Sequence, residues 1–188
     1  DVRWRLLPPI PGSRDFPELN VRTYVRTGDG ARAGVWFHSL DCASPLAVRG
    51  ARAGFGLPYL DATMRADREG DAIAYASRRT HRGAPPAEFA ARYRPVGPPC
   101  APEPASFEHW LVERYCLFAV PPLRRLAIGE VHHAPWPLQP AECEIARNSM
   151  LTASGLAVDA RPPVRHFAAQ VAVRAWWPRA LARPPHPT

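Results

Sequence analysis

The chain has 188 residues and 46% apolar residues, which fits one globular domain. Its formal net charge of +7 arises without a lysine, since all 24 basic residues are arginines spread among acidic residues. This spread argues against a nucleic-acid surface, which clusters its basic residues on one element. The absence of lysine excludes a Walker A phosphate loop, a lysine Schiff base and covalently held pyridoxal phosphate.

Cysteine usage and the lack of long apolar runs indicate the compartment. The four cysteines are widely separated and form no CxxC pair, so we expect reduced thiols and a cytoplasmic protein. No apolar run approaches the ~18 residues of a membrane span. The amino end has the pattern of neither a signal peptide nor a transit peptide. Neither a membrane nor a nucleic acid is expected as a partner.

Short strands joined by turns are predicted along most of the chain. Residues 18–26 alternate between more polar and more apolar side chains, which is the period of a half-buried strand. Turn residues separate apolar runs in three places, which predicts three hairpins. These hairpins pair 18–26 with 34–40 across Gly28-Asp29-Gly30, 62–65 with 72–79 across Glu69-Gly70-Asp71, and 115–120 with 126–132 across Pro121-Pro122.

Few helices are predicted. Ser106 can cap a helix whose apolar face includes Phe107 and Trp110. Pro140 suits the first turn of a second helix running to about Ser154. We expect one domain over residues 1–176, followed by a proline-rich tail over 177–188 that is disordered.

Six ordered motifs resemble one protein family. They are ELNVRTYV at 18–25, GVWFHSLD at 34–41, LPY at 57–59, ERYCLF at 113–118, GEVHHAPWPLQ at 129–139 and HFA at 166–168. Together they are similar to the YqjF-like bacterial family of unknown function, within the acetoacetate decarboxylase-like superfamily. The resemblance implies a mainly β (α+β) fold, namely an acetoacetate-decarboxylase-like β-barrel with two or three peripheral helices.

Two departures from the superfamily pattern affect the expected function and assembly. Tyr59 follows Pro58 where the decarboxylases carry the lysine that forms an imine with substrate. A phenol, with a pKa of ~10, can donate a hydrogen bond or act as an acid but cannot form an imine. Family members also extend further at their amino ends, so we expect a barrel that lacks its first strands. Its exposed edge could be covered by a second copy, which favours a homo-oligomer.

The resemblance also implies a pocket and its residues. Glu18 and Tyr59 are the expected catalytic, proton-handling groups, and the expected ligand-binding residues are Asn20, Arg22, Arg52 and His132. Other roles fit the same residues: a solvent-facing strand explains the alternation from Glu18, a buried tyrosine explains Tyr59, and packing against a turn explains His132. No HxxxH or CxxC spacing is present, so neither a metal nor a cofactor is expected.

Two functions are compatible with these residues. The first is binding, or transformation without a lysine Schiff base, of a small carboxylate or oxo acid inside the barrel. The second is a noncatalytic structural or interaction protein that retains the fold, since a fold does not determine a function. The sequence leaves open whether the protein is an enzyme, but a Schiff-base acetoacetate decarboxylase is excluded.

Overall fold

The protein is mainly β-sheet. The computed structural model describes residues 16–122, 125–157 and 162–181. Within them lie eleven strands and three helices. In chain order they are β1 (Glu18–Arg26), β2 (Ala33–Cys42), α1 (Pro45–Phe55), β3 (Tyr59–Glu69), β4 (Ala72–Arg79), β5 (Glu88–Pro95), α2 (Phe107–Val112), β6 (Cys116–Ala119), β7 (Ala127–His133), β8 (Gln139–Asn148), α3 (Met150–Ala153), β9 (His166–Phe167), β10 (Val173–Ala175) and β11 (Arg179–Ala180). The prediction of a mainly β fold with two or three helices is confirmed.

Strand β2 holds the centre of the sheet. It pairs antiparallel with β1 along its whole length, parallel with β6 near its start and parallel with β3 at its end. The hydrogen-bonded path runs β10-β7-β6-β2-β3-β4-β5-β8-β9, with β1 beside β2 and β11 beside β7. Among the described strands the two ends of this path do not pair with each other, so the word barrel describes the sheet only loosely.

The three predicted hairpins are confirmed by β1–β2, β3–β4 and β6–β7, all antiparallel. In the first turn Gly30 has φ 73°, a left-handed conformation that glycine adopts without steric cost. The predicted helix after Ser106 is α2, and the Ser106 hydroxyl accepts a hydrogen bond from the His109 amide at 3.1 Å.

The predicted helix from Pro140 to Ser154 is wrong. Residues Gln139–Asn148 form β8, and only Met150–Ala153 are helical. Strand β8 pairs with β5 from Pro95↔Ala141 to Phe89↔Asn148, and this long-range pairing overrides the local helix preference. Pro140 lacks an amide hydrogen, but its carbonyl accepts a hydrogen bond from Val96 at 2.9 Å.

The proline-rich tail contributes one short strand. Arg179–Ala180 form β11 against β7, and the Trp177 ring stacks on Phe55 with centroids 4.8 Å apart. Residues 182–188 of the predicted tail lie outside the described residues. No helix among the described residues is long and apolar enough to cross a membrane.

Helix α1 connects β2 to β3 and positions the start of β3. It begins after Ser44, whose hydroxyl accepts a hydrogen bond from the Ala47 amide at 3.3 Å, and Pro45 occupies its first turn. It ends at Gly56, which has φ 67° and donates its amide to the Ala51 carbonyl. Three residues later the chain enters β3 at Tyr59, so the end of α1 fixes where Tyr59 lies.

Candidate functional site

A hydrogen bond joins the two residues that the sequence predicts as proton-handling groups. The Tyr59 hydroxyl lies 2.6 Å from Oε2 of Glu18. Tyr75, on β4, donates its hydroxyl to the Glu18 backbone carbonyl at 2.9 Å and so holds the start of β1. Glu18 is thereby held through both its side chain and its backbone.

The register of three strands explains why Glu18 and Tyr59 meet. In β1 and β2, Glu18 is paired with Cys42 and Asn20 with Leu40. In β2 and β3, Leu40 is paired with Tyr59. Residues paired across neighbouring strands place their side chains on the same face of a sheet. The side chains of Glu18 and Tyr59 therefore share a face, with the end of β2 between them.

Burial raises the pKa of both groups. Glu18 keeps part of its surface open to solvent. Desolvation nevertheless raises the pKa of its carboxyl group, against the lowering effect of the Tyr59 hydrogen bond. Desolvation also raises the pKa of the Tyr59 phenol, and the charge of Glu18 and the hydrogen bond add to it. The phenol is therefore protonated at neutral pH and acts as the hydrogen-bond donor.

Arg52 lies beside Tyr59 but does not contact its hydroxyl. Its Nη1 donates a hydrogen bond to the Tyr59 backbone carbonyl at 2.9 Å, which ties the last turn of α1 to the start of β3. The side chain is exposed. A guanidinium presents five N–H donors in a fork that matches a carboxylate, and this contact uses one of them. Arg52 is therefore placed to contact an anion next to Tyr59.

Asp61 and His81 are two polar residues of this region that the sequence analysis missed. Asp61 lies two residues after Tyr59 on β3 and is paired with Cys42 of β2. Nδ1 of His81 lies 2.9 Å from Oδ2 of Asp61 and 3.2 Å from its backbone nitrogen. Asp61 and His81 are 20 positions apart in the sequence, so no short motif joins them. Their position near Glu18 follows from the parallel register of β2 and β3, which pairs Asp61 with Cys42.

Cys42 is paired with Glu18 on β1 and with Asp61 on β3, so both carboxyl groups lie near its thiol. Its side chain is 1% exposed, and the negative charges of Glu18 and Asp61 both act on it. Desolvation is the largest cause that raises its pKa to about 11. The thiol is therefore protonated at neutral pH and is not a nucleophile.

Asn20 and Arg22 continue along β1 away from Glu18. Both are exposed. Asn20 is in register with Leu40 and hence with Tyr59. Arg22 lies four residues from Glu18, about 13 Å along a strand, and its guanidinium carbon lies 5.9 Å from the centre of the Tyr24 ring. The structure therefore keeps Asn20 near Tyr59 and places Arg22 further along the strand.

His132 is not brought to this site. It lies on β7 and is exposed, and its ring is 6.5 Å from that of Tyr115. Its neighbour Glu130 forms an ion pair with Arg32 at 3.4 Å, just before the start of β2. Glu18 pairs with the last residue of β2, so His132 and Glu18 lie at opposite ends of that strand.

Two cavities among the described residues have linings that include neither Glu18 nor Tyr59. One, of about 320 Å³, is lined by residues that include Trp36, His38 and Pro58. The other, of about 390 Å³, is lined by residues that include Gly54 and Trp177. Pro58 precedes Tyr59, so the first cavity adjoins the site through the backbone. No group of three or more metal-ligating side chains occurs in the part of the chain that the structure describes.

The fold is similar to that of an acetoacetate decarboxylase. The structure of the acetoacetate decarboxylase from Legionella pneumophila subsp. pneumophila str. Philadelphia 1 matches 89% of this chain and 67% of its own length, with a TM-score of 0.59 and 15% sequence identity. A second structure, the enduracididine biosynthesis enzyme MppR complexed with pyruvate, matches 84% of this chain and 60% of its own, with a TM-score of 0.47 and 10% identity. At such identities the likeness to the decarboxylase concerns the fold alone.

The chain belongs to the DUF2071 family, described as uncharacterized conserved proteins, whose family model matches residues 1–172. It is 44% identical over 176 residues to the uncharacterized protein YqjF of Bacillus subtilis (strain 168). That match covers 94% of this chain and 71% of YqjF. The predicted membership of a YqjF-like family with an acetoacetate-decarboxylase-like fold is confirmed.

Proposed function

We propose that this protein binds a small carboxylate or oxo acid beside Glu18 and Tyr59 and transfers protons to or from it without a lysine Schiff base. The observation that carries the proposal is the 2.6 Å hydrogen bond between the Tyr59 hydroxyl and Glu18. A phenol kept protonated by burial and a carboxyl group with a raised pKa are groups that can exchange protons with a bound ligand. Groups with perturbed pKa values are concentrated at functional sites.

Arg52 supplies the positive charge that an acidic ligand requires. Its hydrogen bond to the Tyr59 carbonyl holds the guanidinium beside the backbone of Tyr59. A carboxylate bound to the remaining donors of the guanidinium would form charge-assisted hydrogen bonds. The rest of a short ligand would then extend toward the Tyr59 hydroxyl. Asn20, in register with Tyr59, offers an amide on the same face.

The alternative is a noncatalytic structural or interaction protein that retains the fold. One observation favours it: the hydrogen bond from Tyr59 to Glu18 joins β3 to β1 across the end of β2. A contact of that kind stabilises the sheet whether or not a ligand binds. The two described cavities also have linings that include neither Glu18 nor Tyr59.

A thermal-shift screen over small oxo and hydroxy acids separates the two functions. A ligand that binds only the native state raises its apparent stability. We expect at least one such acid to raise the melting temperature of the wild-type protein. Arg52→Ala is expected to weaken that acid on the order of 10- to 100-fold, because it removes a hydrogen bond to a charged group.

Arg49→Ala is the matched control. Arg49 lies on the same helix and is exposed, so the variant makes the same charge change without disturbing Tyr59. Affinity of this variant should equal that of the wild type. If no acid in the screen shifts the melting temperature, or if both arginine variants weaken binding equally, the structural alternative replaces the proposal.

A further inference from the structure

Three polar side chains form one row across three strands, and His81, which follows β4, adjoins it. Glu18 on β1 pairs with Cys42 on β2, and Cys42 pairs with Asp61 on β3. Neighbouring strands are about 4.8 Å apart, so the backbones at Glu18 and Asp61 are about 10 Å apart with Cys42 between them. His81 adds an imidazole at the Asp61 end of the row. The row therefore has a carboxyl–phenol pair at one end and a carboxylate–imidazole pair at the other.

The contacts of His81 indicate which of its nitrogens is available. The Nδ1 contact to Oδ2 of Asp61, at 2.9 Å, requires a hydrogen on Nδ1, whereas the contact with the Asp61 backbone amide, at 3.2 Å, requires a lone pair there. The shorter contact, to a carboxylate, favours the form with hydrogen on Nδ1. Nε2 then carries the lone pair. The His81 side chain is 23% exposed.

We infer that Asp61 and His81 form the second proton-handling pair of this site, and that the site catalyses proton exchange at the carbon next to the carbonyl of a small oxo acid. This inference rests on the proposed binding of such an acid beside Glu18 and Tyr59. His81 is the general base, and Asp61 is a positioning residue that holds its ring. An acid and a base on opposite sides of a carbonyl compound are what enolisation requires.

The step balances with these groups alone. Nε2 of His81 takes a proton from the carbon next to the carbonyl, and the electrons of that C–H bond form the carbon–carbon double bond of the enol. The π electrons of the carbonyl move to its oxygen, which takes a proton from the Tyr59 hydroxyl. Tyr59 is reprotonated from the carboxyl group of Glu18, so the step starts from the form in which Glu18 carries the proton and donates it to the phenol oxygen, the reverse of the hydrogen bond in the structure without ligand. The site then holds a carboxylate and an imidazolium, and the reverse step restores the starting state with a solvent-derived hydrogen on carbon.

Two other uses of the row fit less well. A metal site would need at least three converging ligands, and the described residues contain no such group. A cysteine nucleophile would need an accessible thiolate, whereas Cys42 is 1% exposed and its neighbours in the row are carboxyl groups. Acid–base chemistry requires neither condition.

The test is hydrogen–deuterium exchange followed by proton NMR. The protein is incubated with 2-oxobutyrate in deuterium oxide, and loss of the signal from the methylene group next to the carbonyl is timed. We expect the wild type to exceed the buffer rate and His81→Ala to lose about 100-fold or more of that excess. Added imidazole should restore part of the rate to His81→Ala, which a purely structural role of His81 would not allow. Asp61→Asn should lower the rate while leaving the affinity for 2-oxobutyrate unchanged.

His81→Asn serves as a second variant in case His81→Ala does not fold, because its amide can keep a hydrogen bond to Asp61. His166→Ala is the control, since His166 is exposed on β9 at the far end of the sheet path, and its rate should equal that of the wild type. Wild-type exchange at the buffer rate, or unchanged exchange in both His81 variants, overturns the inference. Binding of oxo acids in the thermal-shift screen would then still support the proposed function, whereas its absence would remove both.

Discussion

At the scale of single residues, the environment of Glu18 and Tyr59 decides what they can do. A free tyrosine is a weak acid that stays protonated at neutral pH, and burial beside a carboxylate strengthens that preference. Tyr59 is therefore a fixed hydrogen-bond donor. Glu18 is the group of the pair that changes charge within the ordinary pH range, because desolvation moves its pKa upward from 4.5.

The raised pKa of Glu18 predicts a pH-dependent stability. A carboxyl group with a higher pKa in the folded state binds more protons when folded, so the free energy of unfolding falls as pH rises through the window above 4.5. Glu18→Gln removes this contribution and keeps a side-chain oxygen that can accept the hydrogen bond from the Tyr59 hydroxyl. We expect the stability of the variant relative to the wild type to rise as pH increases above 4.5.

Urea unfolding of both proteins at several pH values measures the difference between their free energies of unfolding. The other titrating groups are the same in both proteins, so their contributions cancel in this difference. A difference that stays constant, or that changes in favour of the wild type as pH rises, would show that the Glu18 pKa is not raised. Glu142→Gln, at an exposed carboxylate of β8, serves as a control for the loss of a surface carboxylate.

At the scale of elements, helix α1 positions both Arg52 and Tyr59. Gly56 makes its sharp end possible, because its φ of 67° suits glycine and because a Cβ there would lie 2.3 Å from the Val120 carbonyl oxygen. Gly50, in the middle of the helix, has no such reason to be glycine, since a Cβ there would meet nothing within 4 Å. The same substitution should thus have opposite effects at the two positions.

Gly50→Ala is expected to stabilise the protein by about 0.5–1 kcal/mol, because alanine is the better residue in a helix interior. Gly56→Ala is expected to destabilise it by more than about 1 kcal/mol, through strain and through the clash with the 120–121 backbone. It should also weaken any ligand that depends on Arg52. Thermal unfolding of the two variants measures both changes, and equal shifts in one direction would contradict this account of the helix end.

The same elements show what the sequence could predict. The alternation of polar and apolar residues in β1 and the glycine-rich turn after it are local patterns. Both elements could therefore be predicted from residues a few positions apart. The alternation of Ala141 and Cys143 with Glu142 and Glu144 in β8 was also present, but Pro140 at the start favoured a helix. The pairing of β8 with β5 decides this conflict, and it depends on residues about 50 positions away.

The candidate site was predictable only in part for a similar reason. Glu18 and Tyr59 were identified from motifs that resemble the superfamily. Asp61 and His81 have no such motif, and they join the site because β2 and β3 run parallel with Cys42 opposite Asp61. A parallel register between strands joined by a helix leaves no local signal in the sequence, since no turn type fixes it.

At the scale of the whole molecule, a buried ion pair connects the two halves of the sheet. Nη2 of Arg79 on β4 lies 2.8 Å from Oδ1 of Asp41 on β2, and the side chains are 2% and 0% exposed. Nε contacts both carboxylate oxygens, and Nη1 donates to the Pro85 carbonyl at 3.1 Å. The pair crosses β3 where Ala62, a small residue, is in register with Arg79.

This geometry predicts how the fold responds to loss of either charge. Asp41→Asn, Asp41→Leu or Arg79→Met leaves one buried charge without its partner, which should cost about 3–5 kcal/mol. Asp41→Leu combined with Arg79→Met removes both charges and should cost clearly less than the sum of Asp41→Leu and Arg79→Met alone, because two well-packed apolar side chains can replace a buried pair. Urea unfolding at neutral pH measures the wild type and these four variants.

Glu69→Gln provides the comparison with an exposed ion pair. Glu69 contacts Arg92 at 3.2 Å, but both side chains are 53% exposed, so its loss should cost no more than about 1 kcal/mol. If Asp41→Asn costs as little as Glu69→Gln, the buried pair does not hold β2 to β4. If the double variant costs the full sum, the two charges act independently. The expected result, a large single effect with strong coupling, would make the 41–79 pair the contact that keeps β2, β3 and β4 in the arrangement on which the site depends.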